Sequence, residues 1–211
     1  MSETLTPQIA ELLDEPDNIE KLRDHIAALT KLETKNQYTL ALEKEKKDAE
    51  DFNFKVFIEN ARPYDTGGEP TVTPLINVML QKAVPMDGNA RIGPQKEKAF
   101  FIIDCIAFGN DGSEKWNDKV AAARAWKAAR VIRNIIMSDQ YAYLGLRGMV
   151  GARQIAQIES GVPENGGDAL TVVTARITLE VQFVERAIGS QGPIIGDIDY
   201  TVDPSSGEVS V

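Results

Sequence analysis

The clearest hydrophobic pattern in the chain lies at residues 115–139, KWNDKVAAARAWKAARVIRNIIMSD. Its alanines and isoleucines recur every three or four positions, which places them on one side of an α-helix that lies on a core. The residues predicted to be buried are Ala121, Ala125, Ala128, Ala129, Ile132, Ile135 and Ile136. Because the first half of this stripe is alanine, the helix can approach a flat partner closely. Strand-like runs on both sides of the helix in the sequence indicate that this partner is a β-sheet.

Alternating apolar and polar positions predict five strands around this helix, at residues 52–58, 73–84, 98–108, 153–159 and 170–185. The third run is apolar on both of its faces, which is typical of a central strand covered on both sides. In the second strand, Ile76, Val78, Leu80 and Val84 are expected to share one face. In the last strand, the expected inward residues are Val173, Ala175, Ile177, Leu179, Val181 and Phe183. The pattern predicts an α+β fold with a largely antiparallel β-sheet and the central amphipathic helix packed on one face.

The two ends of the chain have different patterns from this predicted domain, which spans residues 51–186. At the N-terminus, residues 1–50 are expected to form a helical segment. It consists of a short helix from Thr6 and Pro7 to Pro16, and a longer helix that starts at Asp17 and Glu20 and runs to about Asp48. At the other end, residues 187–211 contain four acidic residues and no lysine or arginine. We expect them to form an acidic, extended tail.

The charge distribution narrows the range of functions. The chain has 211 residues and a net charge of −9, yet residues 115–139 alone carry +4. An acidic chain of this kind is not expected to bind nucleic acid in general, because phosphate contacts need clustered lysine and arginine. A single cysteine argues against an intrachain disulfide and suggests synthesis in a reducing cytoplasm. No secretion signal or membrane span is predicted.

Residues that could support catalysis are few. The one histidine, His25, lies in the amphipathic N-terminal helix, where a surface or packing role is expected. Cys105 lies in the most apolar strand and is expected to pack in the core. Asp104 beside it is expected to lie at a sheet end or to pair with a cation. The glycines of YLGLRGMVGAR and the acidic residues of GDIDYTVD do not match phosphate or calcium motifs, so no catalytic residue, cofactor or metal is expected.

The remaining candidate site is the polar surface of the central helix. Its candidate subunit or partner contacts are Arg124, Trp126, Lys127, Arg130 and Arg133. Tryptophan and arginine dominate binding hot spots, although Trp126 could equally cap the edge of its own core. A second candidate is the long connection at residues 85–97, which is expected to project from the sheet and includes Met86, Asp87, Arg91 and Ile92.

The order of these elements resembles that of the tail terminator (tail completion) proteins of long-tailed bacteriophages. The resemblance covers residues 52–186 and runs from the strand FFIIDCIAFG through the helix VAAARAWKAARVIRNIIM to RQIAQIESG and the final strand TARITLEVQFVE. The helical N-terminus and the acidic tail depart from that compact pattern. Their extra mass would suit a contractile tail.

The resemblance implies a structural virion protein, usually a homohexameric ring, that caps the tail tube and stops its polymerisation. Its implied partners are the tail tube protein, the tail sheath and a neck or connector protein, at the tail–neck junction of the virion after assembly in the host cytoplasm. DNA would pass through the lumen without specific binding, and neither a membrane nor a cofactor is implied. Three alternatives stay open: another connector or stopper ring of the neck, a small enzyme, and a nucleic-acid-binding module.

Overall fold

Two helices and one main sheet make up most of the structure, a computed structural model that describes residues 16–61, 74–86, 95–109, 118–161, 172–185 and 200–211. The helices are Asn18–Glu43 (α1) and Asp118–Ile136 (α2). The strands are Lys55–Ile58 (β1), Leu75–Pro85 (β2), Gln95–Phe108 (β3), Val150–Gly161 (β4), Val172–Glu185 (β5), Thr201–Val202 (β6) and Val209–Ser210 (β7). The fold class is α+β, as predicted. The predicted helix at residues 6–15 lies outside the described residues.

The main sheet is mixed and mostly antiparallel, with the strand order β1-β2-β3-β5-β4. Only β1 and β2 pair in parallel; β3 pairs antiparallel with β2 and β5, and β4 pairs antiparallel with β5. The predicted central position of β3 is therefore confirmed. Because β3 and β4 both oppose β5, they run in the same direction, and α2 makes the crossover between them over one face of the sheet.

The main core lies between the helices and this face of the sheet. Its members on β3 are Ala99, Phe101, Ile103, Cys105 and Ala107, and on β5 Ala175, Ile177, Leu179, Val181 and Phe183. The five β5 residues include all but the first of the residues predicted to face inward; Val173 is partly buried against the same cluster. The other face of the sheet has a smaller buried cluster that includes Ile106, Phe108 and Phe57. The alternation of β3 therefore buries side chains on both faces.

The predicted single face of β2 is wrong beyond Leu80. Ile76 and Val78 lie in the main core, but the register shifts between Leu80 and Lys82, where β2 has one residue more than β3. An inserted residue turns every later side chain to the opposite face. As a result, Val84 is 38% exposed.

Strand β4 is longer than predicted and the connection before it is shorter. A strand was expected at residues 153–159 after a glycine-rich loop to residue 152, whereas β4 spans Val150–Gly161. The turn that precedes it is tight, with Leu144, Gly145 and Gly148 at positive φ. Its buried Leu144, Leu146 and Met149 belong to the main core, so the connection is anchored by apolar packing.

Helix α1 begins where the capping pattern predicted and ends earlier than predicted. The Asp17 backbone N–H donates a hydrogen bond of 3.1 Å to the Glu20 carboxylate at the start of the helix. The helix ends at Glu43 rather than near Asp48, because Glu45 takes a φ of +50° and the chain turns back. A 3₁₀ turn at Ala49–Phe52 follows. Leu22, Ile26 and Leu29 of α1 are fully buried in the main core.

The end of the chain is folded where the structure describes it, which corrects the expectation of an extended acidic tail for residues 200–211. Strands β6 and β7 form a hairpin, and Val209 is 0% exposed in the main core. Ile58 donates its backbone N–H to the Gly207 carbonyl at 2.8 Å, which attaches the hairpin to β1. Gly207 has a φ of +71°, and a Cβ there would lie 2.5 Å from the Ile58 carbonyl oxygen. The acidic composition of residues 187–211 therefore gave no indication that Val209 lies in a short buried strand.

Candidate interface on the central helix

Helix α2 buries the side that its sequence pattern predicted. The seven buried residues of α2 are Ala121, Ala125, Ala128, Ala129, Ile132, Ile135 and Ile136, which are the seven predicted. The helix contacts β3 and β5, the two strands at the centre of the sheet. The opposite side therefore faces away from the core and carries the candidate interface residues.

Two of the candidate cations bind acidic residues of their own chain. Arg124 Nε lies 3.3 Å from Asp51 Oδ1, and Lys127 Nζ lies 3.1 Å from Asp51 Oδ2. Lys127 also pairs with Asp48 and lies over the Phe52 ring at 4.4 Å from its centroid. The hydrogen bond from Lys127 holds the pKa of Asp48 below its usual value. Both cations therefore attach the 3₁₀ turn at Ala49–Phe52 to α2.

The other three candidates lie together on an open groove between α2 and β4. Trp126 is 45% exposed, and Arg130 and Arg133 follow it along the exposed side of the helix. The groove has a volume of about 490 Å³ and is lined by Trp126, Ala129, Arg130, Arg133, Ile155, Ala156, Gln157 and Ile158. Neither Arg130 nor Arg133 makes an ion pair or side-chain hydrogen bond with the described part of the chain. The groove thus combines apolar surface with two accessible guanidinium groups.

Strand β4, the second wall of the groove, is an edge of the main sheet. It pairs with β5 on one side, and among the described residues no strand pairs along its other side. Its twelve residues include two charged side chains, Arg153 and Glu159. The opposite edge is different, since β1 carries a bridge between Phe57 and Glu208 of the C-terminal hairpin. Long edges with few charged side chains attract further strands, which natural proteins usually prevent, so β4 is a suitable contact surface.

Arg153 holds the two walls of the groove together, and its role was not predicted. Its guanidinium donates to the carbonyls of Ile136 at 2.5 Å and Ser138 at 2.8 Å, and also to the Ala142 carbonyl. These carbonyls belong to the last residue of α2 and to residues that follow it, where the backbone lacks helical partners. Arg153 lies seventeen residues beyond the end of α2, so no local sequence signal indicated this contact. The segment 137–149 is thereby fixed at one end of the groove.

The second candidate surface is only partly described. Met86 is 41% exposed, and its backbone N–H donates to the Lys96 carbonyl at 3.0 Å, across the pair formed by β2 and β3. Asp87, Arg91 and Ile92 lie outside the described residues. The projection of this connection stays a prediction.

The three residues considered for catalysis are placed in structural roles. Asp104 accepts two hydrogen bonds from Arg176, with Nε to Oδ1 at 2.7 Å and Nη2 to Oδ2 at 2.9 Å, as its expected pairing with a cation requires. Cys105 is fully buried on the other face of β3, and burial raises the pKa of its thiol. His25 is 3% exposed, and its Nε2 lies 2.6 Å from the Leu144 carbonyl oxygen. No three of the described His, Cys, Asp and Glu side chains gather into a metal-binding group.

We expect the buried His25 to make the stability of the protein depend on pH. Burial lowers its pKa, partly offset by the hydrogen bond that its neutral ring donates to Leu144. Between the lowered pKa and about 6.5, the unfolded chain binds a proton that the folded chain does not, so acid favours unfolding. We expect the free energy of unfolding to fall below pH 6.5 by at most about 1.4 kcal/mol per pH unit from this group. Urea titrations at pH 7.0, 6.0 and 5.5 measure this fall in the free energy of unfolding.

The control for this pH effect is His25→Gln, whose amide can also donate to Leu144 and does not titrate. The difference in unfolding free energy between the two proteins should narrow or reverse as the pH falls. An unchanged difference from pH 7.0 to 5.5 would show that His25 does not cause the dependence.

Neither α-helix of the described ranges is apolar over the length that a membrane crossing requires.

Comparison with known proteins leaves the family open. No protein-family model matches the chain, and no curated protein matches it. Among the solved structures that match, one without a descriptive name is 18% identical and has a TM-score of 0.36. The match covers 71% of this chain and 96% of the other. A likeness at this TM-score carries no argument about fold or function.

Proposed function

We propose that this protein is a ring-forming virion subunit that caps a bacteriophage tail tube, as tail terminator proteins do. The observation that carries this proposal is the element order. Three strands, a crossover helix and two further strands follow one another as β1, β2, β3, α2, β4 and β5, which is the order on which the sequence resemblance rests. The ring would end tail polymerisation and provide the joining surface for the neck.

The α2–β4 groove supports self-association of this kind. A cyclic ring joins two different patches on every subunit, because each copy binds its neighbour head to tail. The groove supplies one such patch, with an exposed tryptophan, two arginines and a sheet edge that carries few charges. On a chain with a net charge of −9, an accessible basic patch is complementary to much of the remaining surface of another copy.

The ring would act by assembly, with no cofactor. Its partners would be the tail tube protein, the sheath where the tail is contractile, and a neck or connector protein. DNA would pass through the lumen without specific binding. The alternative function, a nucleic-acid-binding module, would use four cations of the exposed side of α2. Two of these four, Arg124 and Lys127, are already paired with Asp51 and Asp48. This favours a protein contact for the remaining two.

The native mass of the purified protein, alone and mixed with a tail tube protein, tests this function. We expect a ring; six copies of the 23.2 kDa chain would give about 139 kDa. In the mixture, tubes should stop lengthening once rings are bound to their ends. A monomer under both conditions would overturn the proposal. Copurification from cells with DNA-filled heads lacking tails, rather than with headless tails, would indicate a connector or stopper ring.

Charge reversal tests the groove within the same experiment. Arg130→Glu with Arg133→Glu should raise the concentration at which rings dissociate by about 10- to 100-fold, because arginine contacts commonly dominate interfaces. Lys46→Glu with Lys47→Glu is the matched control, since both residues are exposed beyond α1 and the net charge changes equally. Salt-dependent DNA binding that only the arginine variant loses, with its mass unchanged, would support the nucleic-acid-binding module instead.

A further inference from the structure

The lining of the α2–β4 groove defines what it can bind. Trp126, Ile155 and Ile158 offer apolar surface, while Arg130 and Arg133 lie side by side on one wall. Arginine pairs well with carboxylates, and aromatic surface binds aliphatic side chains. A suitable occupant is therefore a segment that alternates aliphatic residues with acidic ones. Amphipathic helices bind grooves in this way through anchors spaced three or four residues apart.

One segment of this chain has that composition. Residues 1–15, MSETLTPQIAELLDE, contain four acidic residues and no lysine, arginine or histidine. Ile9, Leu12 and Leu13 have the spacing of groove-binding anchors, and Glu11 and Asp14 lie among them. The segment precedes Pro16, where the described chain begins. Fifteen residues can span up to about 50 Å when extended, enough to reach an adjacent subunit.

The start of α1, which follows residues 1–15 in the chain, lies close to one end of the groove. The Asn18 side chain donates to the Val184 carbonyl at 3.0 Å, and the Val184 N–H donates to the Met149 carbonyl at 3.0 Å. The start of α1 thus lies beside segment 137–149, which Arg153 fixes at the end of the groove. Tyr141 in this segment also donates a hydrogen bond to Glu33, which raises the pKa of Tyr141 to about 12. In a cyclic ring each copy fills a patch on its neighbour, so we assign residues 1–15 to the groove of the adjacent copy.

We propose that residues 1–15 of one copy bind in the α2–β4 groove of the neighbouring copy and so link the subunits around the ring. The aliphatic residues pack on Trp126, Ile155 and Ile158, and the carboxylates pair with Arg130 and Arg133. Each subunit then contributes an arm on one side and a groove on the other, which is the head-to-tail arrangement of a cyclic ring. This inference rests on the proposed ring function and names the segment that fills the contact.

Disulfide trapping in the full-length protein tests it. Leu12→Cys combined with Gln157→Cys should give, on mild oxidation, a ladder of cross-linked chains on a non-reducing gel. The native Cys105 is fully buried and does not compete. Leu12→Cys with Lys46→Cys is the control, because Lys46 is exposed beyond the end of α1 and does not line the groove. An intrachain cross-link alone, or no cross-link in the variant that carries Gln157→Cys, would overturn the inference.

A charge exchange gives an independent test. Glu11→Lys with Asp14→Lys should weaken the ring about as much as Arg130→Glu with Arg133→Glu, and the combination of all four changes should restore at least tenfold of the lost affinity. Rings that form equally well without residues 1–15 would overturn this inference and leave the ring function standing. A wild-type protein that stays monomeric would overturn the ring function itself, so the two failures are distinguishable.

Discussion

Replacement of Phe101 by alanine should lower the free energy of unfolding by about 3–5 kcal/mol, the largest effect we expect from one substitution. Phe101 lies on the central strand β3, is 0% exposed and belongs to the main core. Its neighbours across the sheet are Leu80 of β2 and Leu179 of β5. Removal of the phenyl ring leaves a cavity. The cavity cannot close, because β3 is held by hydrogen bonds to β2 on one side and to β5 on the other. Urea denaturation at one fixed protein concentration measures the loss.

The matched control is Phe100→Ala, the same change one position earlier on the opposite face of β3. Phe100 is partly exposed, and Lys82 lies over its ring at 4.9 Å from the centroid. Its loss should cost no more than about 2 kcal/mol, because part of the ring already contacts water. Equal losses for the two substitutions would contradict the assignment of Phe101 to the better packed face.

Ala128→Leu should destabilise the protein by about 1–3 kcal/mol, the second of the large effects. Ala128 is 0% exposed on the side of α2 that lies on the sheet, where alanine allows the helix to approach β3 and β5. A leucine there must take an unfavourable rotamer or move the helix outward. Movement of α2 would also change its distance from β4, so the ring should weaken too. Thermal or urea unfolding and native mass measure the two effects.

Ala123→Leu is the control for this substitution, because Ala123 is exposed on the same helix. Leucine and alanine have similar helix propensities, so the expected change is within about 0.5 kcal/mol. If Ala128→Leu were equally harmless, the helix would not be closely packed on the sheet.

The sequence predicted the helix–sheet core well because that core follows local periodicity. All seven predicted residues of α2 are buried, and β5 buries alternate residues from Ala175 to Phe183. Departures from the predictions came from features without a periodic signal. One inserted residue after Leu80 reversed the later face of β2, and a few apolar residues, among them the buried Val209, anchored a hairpin within an acidic segment.

The candidate site was predicted only as a set of residue types on one side of a helix. The sequence pattern placed all five candidates on that side and did not indicate which of them stay accessible to a partner. They are Arg124, Trp126, Lys127, Arg130 and Arg133. The structure separates them, since Asp48 and Asp51 lie more than seventy positions away in sequence and bind two of the cations. Arg153, which joins α2 to β4, gave no local signal, because its partner Ile136 lies seventeen residues earlier in the chain.

The sequence by itself determined the α+β class, the central position of β3 and the buried side of α2, because hydrophobic burial acts on each helix and strand through its own repeat. Only the tertiary structure decided which charges stay accessible, which edge of the sheet is covered and where His25 lies. Those outcomes depend on contacts between residues that are distant in the sequence, and a local sequence pattern does not predict such contacts. The groove beside Trp126, on which the proposed ring contact depends, is a product of such contacts.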